Sequence, residues 1–355
     1  MFNSQILRYA KFLNKKTNRF STFTFPATQR AIVIKEHGPS DVLCYEKNYP
    51  LNFRSQEDVL EEEVIVKHSF AGLNFIDTYY RSGLYKQPLP FIGGGEAVGE
   101  IVHAGDKAKE SGAYVGMRVG MMNLGSYCEY SKVDFEKCIQ IPERISDVVA
   151  LSAIIQGLTA HYLVEIAEDY WLKKDDWCVV HAGAGGTGSL LIQLLKTKGA
   201  KIISTSSENK VELAKANGAD VAVPYSKLRG VVAEVTDGMG VKTVFDGVGA
   251  NTASDSLSVC ALRGLVVYFG NASGSVPPID PLNLVPRSLF ITRPKLGDYI
   301  TTREELQRRA NDIFNLINNG SLNIKTDQTF ALTDAKMAHD YIESAKTTGK
   351  VIIKI

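Results

Sequence analysis

The sequence predicts an α/β protein built in two parts. A β-rich domain covers residues 31–155 and is closed by 296–355, and a doubly wound parallel sheet covers 156–295. Three observations predict it. The apolar strand Trp177-Cys178-Val179-Val180-His181 runs into the turn Gly183-Ala184-Gly185-Gly186-Thr187-Gly188, and an apolar helix starts at Ser189-Leu190-Leu191. From about Gln156 onward, apolar runs at 177–182, 201–205, 241–246, 264–269 and 288–292 alternate with helical segments, the pattern of a parallel sheet covered on both faces. Before Ile155 the pattern is short alternating strands with glycine turns, as in Glu63–Lys67 and Ala97–Val102.

Along the chain, residues 1–30 come first. They hold six basic residues (Arg8, Lys11, Lys15, Lys16, Arg19, Arg30) and no acid. At 100° per residue Arg8, Lys11, Lys15 and Arg19 share one stripe, opposite Phe2, Ile6, Tyr9, Leu13 and Phe20; Leu7 and Phe12 break the pattern. This hydroxyl-rich leader reads as a mitochondrial transit peptide, with cleavage expected between Phe20 and Ala31 and a destination in the matrix. A disordered basic tail on a cytosolic enzyme is the alternative. The remaining residues carry 34 basic against 39 acidic side chains, so net charge makes no case for nucleic acid as a partner. At 355 residues and 45% hydrophobic content the chain can bury a large core. No stretch approaches the ~20 apolar residues that span a bilayer. Five scattered cysteines fit a reducing compartment and form neither a disulfide framework nor a zinc knuckle.

The glycine turn carries the first chemistry. Gly183 permits the tight turn, Gly185 lets backbone approach a pyrophosphate, and Gly188 lets helix pack on strand. The free amides at the helix start, around Gly186 and Thr187, hold phosphate with the helix dipole behind them. The following strand, Lys201–Thr205, leads to Ser206-Ser207-Glu208-Asn209-Lys210. NAD sites end this strand on an acid that takes the ribose hydroxyls. Here hydroxyls and then a lysine follow, which suits the 2′-phosphate of NADPH. Glu208 lies beyond the strand, and the plainer reading of Lys210 is a solvated helix lysine. Two later strands also end in glycine-rich turns, at Gly247–Gly249 and at Gly270–Gly274, where ligands of such sheets lie. A charged helix around Arg303–Asn318 and a strand Lys350–Ile355 then return to the first domain.

Three segments, Ala71–Tyr85, His181–Gly188 and Tyr268–Pro294, resemble the zinc-free quinone oxidoreductase branch of the medium-chain dehydrogenase/reductase superfamily. The resemblance runs from about Ala31 to the C-terminus. It implies a GroES-like catalytic domain followed by a Rossmann domain, NADPH as cofactor, and a homodimer. It also places Asn74, Tyr79 and Tyr85 near the nicotinamide and the substrate carbonyl. On the cofactor side it sets Thr159 beside the nicotinamide phosphate, and Lys210 and Tyr225 around the 2′-phosphate and adenine. Phe269, Gly270 and Asn271 line the nicotinamide end. Zinc-dependent relatives carry a cysteine near Asn74 and Gly-His-Glu before the next strand; this chain has Gly94-Gly95-Glu96 and cannot supply that ligand set. Two departures from the family are Thr187, where valine is usual, and Gly93-Gly94-Gly95, expected to loosen the loop above the substrate.

The function so implied is NADPH-dependent, metal-free reduction of a quinone or conjugated enone, with the cofactor carrying the chemistry. Two alternatives stand beside it: a 2-enoyl thioester reductase, and a non-catalytic NADPH-binding subunit of a larger mitochondrial assembly.

Overall fold

The computed structural model describes residues 23–355. The first domain reads β1 (Thr28–Ile34), β2 (Leu43–Pro50), β3 (Glu63–Leu73), α1 (Phe75–Ser82), β4 (Phe91–Ile92), β5 (Glu96–Ala104), α2 (Asp106–Glu110), β6 (Arg118–Met121), β7 (Tyr130–Asp134) and β8 (Cys138–Gln140). Helices α3 (Asp147–Ala153) and α4 (Ile155–Tyr170) lead into the second domain. It reads β9 (Trp177–His181), α5 (Gly186–Thr197), β10 (Lys201–Ser206), α6 (Val211–Ala216), β11 (Val221–Pro224), α7 (Leu228–Val235), β12 (Val241–Asp246), α8 (Ala253–Ser258), β13 (Cys260–Tyr268) and β14 (Phe290–Thr292). The chain closes with α9 (Arg303–Asn318), β15 (Thr326–Ala331), α10 (Ala335–Glu343) and β16 (Lys350–Lys354).

The second domain is an all-parallel sheet in the order β11-β10-β9-β12-β13-β14. The winding reverses between β9 and β12, so their carboxyl ends open the crevice in which such sheets bind ligands. In the first domain β3 is the hub. It pairs with β7 through Glu63–Lys67 and with β16 through Phe70–Leu73, while β5 runs along its other edge. The register shift at His68/Phe70 leaves Ser69 unpaired with β5 and bends β3 where it changes partner. β15 adds parallel to β16, so the last thirty residues add two strands to the first sheet.

One apolar core crosses the domain junction. Ile154, Leu158 and Leu163 of the α3–α4 segment pack with Val98 and Ile139 of the first sheet, Leu191 and Phe245 of the second domain, and Ile313 and Phe314 of α9. An interface this apolar sets the domains in a fixed relation. Among the described residues no single helix is long and apolar enough to cross a membrane.

Three details differ from expectation. The leader was expected to end at Arg30, yet β1 begins at Thr28, Gln29 is buried, and Arg30 pairs with Glu129 at 2.8 Å. Phe23 and Phe25 also pack on Tyr130 and Phe53, and the transit-peptide reading of residues 1–22 lies outside the described residues. Strand β14 starts at Phe290 because Ser288 takes a left-handed conformation (φ 51°) that ends the preceding turn. Gly93 and Gly94 do not loosen a loop: the buried Tyr127 ring fills the space side chains there would need.

Candidate active site

The glycine turn has the geometry its spacing predicts, with one exchange of roles. The left-handed residue of the turn is Ala182 (φ 53°), not a glycine. Gly183 is required because Ser204 and Ile192 occupy the place of a side chain, and Gly188 because the Ala182 carbonyl and Gly183 lie against the helix. Gly185 caps α5, and the Ser189 amide is the first to bond back, to the Gly185 carbonyl at 2.9 Å. The amides of Gly186, Thr187 and Gly188 therefore have no partner within the helix and point out of its start. The Gln156 carboxamide fills the space a side chain at Gly186 would need. Gln156 thus meets the phosphate-binding turn from across the domain junction, and Thr159 follows three residues on in α4.

Behind the turn sits a buried polar chain that the sequence reading passed over. Thr252 and Ser256 donate to the Asp246 carboxylate at 2.8 and 2.7 Å, and Asp246 also accepts the amides of Val248 and Gly249. With the Ser256 proton given to Asp246, His181 Nε2–H donates to Ser256 (3.1 Å) and Nδ1 accepts from Thr205 (2.7 Å). Burial holds His181 below its ordinary pKa, so the ring is neutral. It stacks at 17° on Tyr225, whose ring centroid lies 6.0 Å away. The only signal in the sequence was Asp246, an acid directly after the apolar Val244-Phe245 and before the glycine turn.

Ser206 and Tyr225 stand at the neighbouring ends of β10 and β11, where Ser206 pairs with Pro224. Lys210 follows one turn on. Its ammonium is not free: it donates to the carbonyls of Ala345 (2.5 Å) and Thr347 (2.6 Å), in the segment between α10 and β16. The contact joins the two domains at the place the resemblance assigns to the 2′-phosphate.

Facing the strand ends is α1. The Asn271 amide N–H donates to the Tyr79 hydroxyl oxygen at 3.2 Å. Burial pushes the Tyr79 phenol up to about 12, so it keeps its proton near neutral pH. That proton has no acceptor among the described residues. Tyr85 is engaged differently. With the Asn271 side-chain nitrogen donating to the Gly270 carbonyl (2.9 Å), its oxygen accepts from the Tyr85 hydroxyl and from Arg293, each at 3.3 Å. Phe269 lies over Gly247, and Gly270 over the Gly247 carbonyl, so the two glycine-rich loops stack closely.

Asn74 has buried partners that the resemblance does not imply. Its carboxamide is turned inward, donating to Glu96 (2.7 Å) and accepting from Lys350 (2.7 Å), and the residue is 6% exposed. Its backbone amide donates to Asp77 at 2.7 Å, capping α1. Asp77 also accepts from Tyr127, but its second oxygen has no partner. Burial pushes the Asp77 carboxyl up to about 7. From about pH 4, the ordinary carboxyl value, up to 7 the folded chain therefore holds a proton that the unfolded chain releases. Stability contributed by protonated Asp77 is complete below that window and is lost as pH rises through it. Urea unfolding of Asp77→Asn against wild type at pH 5 and pH 8 is expected to show the variant gaining relative to wild type at the higher pH. Parallel pH dependence of the two proteins would overturn the assignment.

A doubly wound dinucleotide sheet joined to a β-rich domain, with a protonated phenol facing the strand ends, defines a two-domain oxidoreductase. The comparisons agree. A family model described as "Alcohol dehydrogenase GroES-like domain" matches residues 60–175, and one described as "Zinc-binding dehydrogenase" matches 186–312. A probable quinone oxidoreductase of Schizosaccharomyces pombe is 41% identical over 82% of this chain and 88% of its own length. The crystal structure of Escherichia coli quinone oxidoreductase complexed with NADPH superposes with a TM-score of 0.85 at 36% identity, covering 92% of this chain and all of that one. A 2-haloacrylate reductase of Burkholderia is 32% identical over 82% of this chain and 90% of its own. The chain belongs to the quinone oxidoreductase branch of the medium-chain dehydrogenase/reductase superfamily. "Zinc-binding" describes the family model; among the described residues no group of three or more His, Cys, Asp or Glu is placed to hold a metal.

Proposed function

We propose that this chain reduces a quinone or a conjugated enone with NADPH, with no metal in the reaction. The observation that carries the reading is Tyr79: a protonated hydroxyl, held through its oxygen by the Asn271 amide, with its proton unspent. The residues fit the cofactor. Gly183, Gly186 and Gly188 of the turn have no room for a side chain, the amides of Gly186 to Gly188 offer donors to a pyrophosphate, and Ser206, Lys210 and Tyr225 lie at or just beyond adjacent strand ends. The E. coli relative's NADPH complex supports the same cofactor, and the 2-haloacrylate reductase supports an electron-poor double bond as an alternative acceptor.

Bound NADPH supplies the hydride. As the acceptor takes it, negative charge grows on the substrate oxygen, and a donor already aimed there stabilises it without rearrangement. Tyr79 is that donor, while Tyr85 and Arg293 hold the Asn271 side chain. The test is stopped-flow absorbance of reduced nicotinamide after mixing NADPH-loaded protein with a short-chain quinone. Rapid loss of signal is expected; tight NADPH binding without turnover on any quinone or enone would overturn the proposal.

A homodimer is part of the same reading. Strand β14 pairs on one edge only, and beside it Phe290, Ile291, Val285 and Leu282 are 51%, 40%, 66% and 72% exposed. A second copy that covers this edge removes both the open hydrogen-bonding groups and the apolar patch. Light scattering on the purified protein is expected to give twice the chain mass, and a monomer would refute it. The five basic residues and absence of acids in the sequence of residues 1–22 support import into the mitochondrial matrix. Protease protection in isolated mitochondria is expected for the full chain and not for one lacking residues 1–22, and equal protection or equal digestion of both would refute it.

A further inference from the structure

Deep in the first domain, one carboxylate gathers three elements. Glu96, the first residue of β5, is wholly buried. One of its oxygens accepts from the Asn74 amide, at the start of α1, and from the Lys350 ammonium, at the start of β16. The other accepts the backbone amide of Ile155, the first residue of α4, at 2.9 Å. Lys350 completes a triangle by donating to the Asn74 oxygen at 2.7 Å. The pair has room because Gly72, which pairs with Glu96 across the sheet, has no side chain to occupy that space. Lys350 is the only lysine among the buried described residues.

A buried ion pair is a poor source of stability, since desolvation offsets the attraction and an apolar pair of similar volume often serves as well or better. Its geometric consequence is larger. Helix α1 carries Tyr79, and the first turn of α4 carries Gln156, with Thr159 opening the next turn. Glu96 is hydrogen-bonded to the start of both. We infer that Glu96 and Lys350 are positioning residues: the pair sets the substrate-side helix and the cofactor-side helix against each other. The inference rests on the functional reading above. It predicts loss in kcat with little change in KM, because displacement of reacting groups by about an ångström costs rate far more than binding.

The test compares wild type with Lys350→Met, Glu96→Gln and the double variant. Lys350→Met leaves a buried carboxylate without its cation and is expected to lower Tm. The double variant removes both charges and is expected to recover Tm close to wild type. Its kcat with NADPH and a short-chain quinone should nevertheless stay roughly 10- to 100-fold down, with both KM values within about twofold. Hydrogen exchange supplies a readout independent of turnover: amides of 75–82 and 155–160 should exchange faster in the double variant, with β3 and β5 unchanged. A double variant with wild-type kcat and wild-type exchange in those segments overturns the inference while leaving the proposed reaction standing. Altered exchange together with a wild type that transfers nothing to any quinone or enone overturns the proposed reaction and keeps the positioning role.

Discussion

Replacing Tyr79 with phenylalanine is expected to lower kcat roughly 100- to 1,000-fold, the cost of removing one aligned donor to a developing oxyanion. The fold should hardly notice. The lost hydroxyl accepts one hydrogen bond in a half-buried place, worth about 1 kcal/mol. Binding of NADPH, followed by fluorescence, should also stay within a few fold. Tyr85→Phe makes the control. Its hydroxyl proton is already given to Asn271, so its loss loosens a loop contact and should cost about tenfold or less, far below the loss of an oxyanion donor. If Tyr85→Phe is the more damaging change, the two tyrosines have been assigned the wrong way round.

The second large effect is expected at Lys210. A charge-assisted contact to phosphate contributes about 1.5–3 kcal/mol, so Lys210→Ala should raise the Kd for NADPH roughly 10- to 100-fold beyond its effect on NADH. The comparison with NADH matters because Lys210 also holds the carbonyls of Ala345 and Thr347. Losing that interdomain tie weakens both cofactors alike. Only the difference between them reports the 2′-phosphate. Calorimetric titrations with the two dinucleotides separate the parts, and equal weakening would remove Lys210 from the phosphate site.

Strands and their order of appearance were legible because they rest on local rules. A mostly apolar run of five or six residues that ends in a turn-forming segment announces a buried parallel strand, and 201–205 and 241–246 fall on β10 and β12. The charged helix 303–318 coincides with α9 for the same kind of reason, a repeating apolar face. Boundaries that depend on single backbone conformations were less legible. Ser288, whose amide bonds back to the carbonyls of the preceding turn, and Ala182 adopt left-handed conformations without being glycine, against their own preference.

Site residues divide along the same line. The phosphate turn is contiguous in sequence, so Gly183, Gly185 and Gly188 could be read from spacing, although the left-handed residue of that turn was not. Asn74, Glu96, Ile155 and Lys350 are separated by up to 276 residues, and no local pattern joins them. A lysine opening an apolar terminal strand and a glutamate opening an apolar internal one were visible, but each alone reads as an exposed strand end. The buried partners of Asn74 cannot be read from its own neighbours in the chain.

The sequence by itself determined the two-domain α/β architecture, the dinucleotide turn and the polar side chains available to the site. Hydrophobic periodicity and glycine spacing are properties of neighbours along the chain, and they suffice for that. Only the tertiary structure decided which tyrosine keeps a free proton, where the Lys210 ammonium rests, and that Asn74 faces a buried ion pair. Those outcomes depend on hydrogen-bond partners and desolvation, which exist only once distant segments have been packed together.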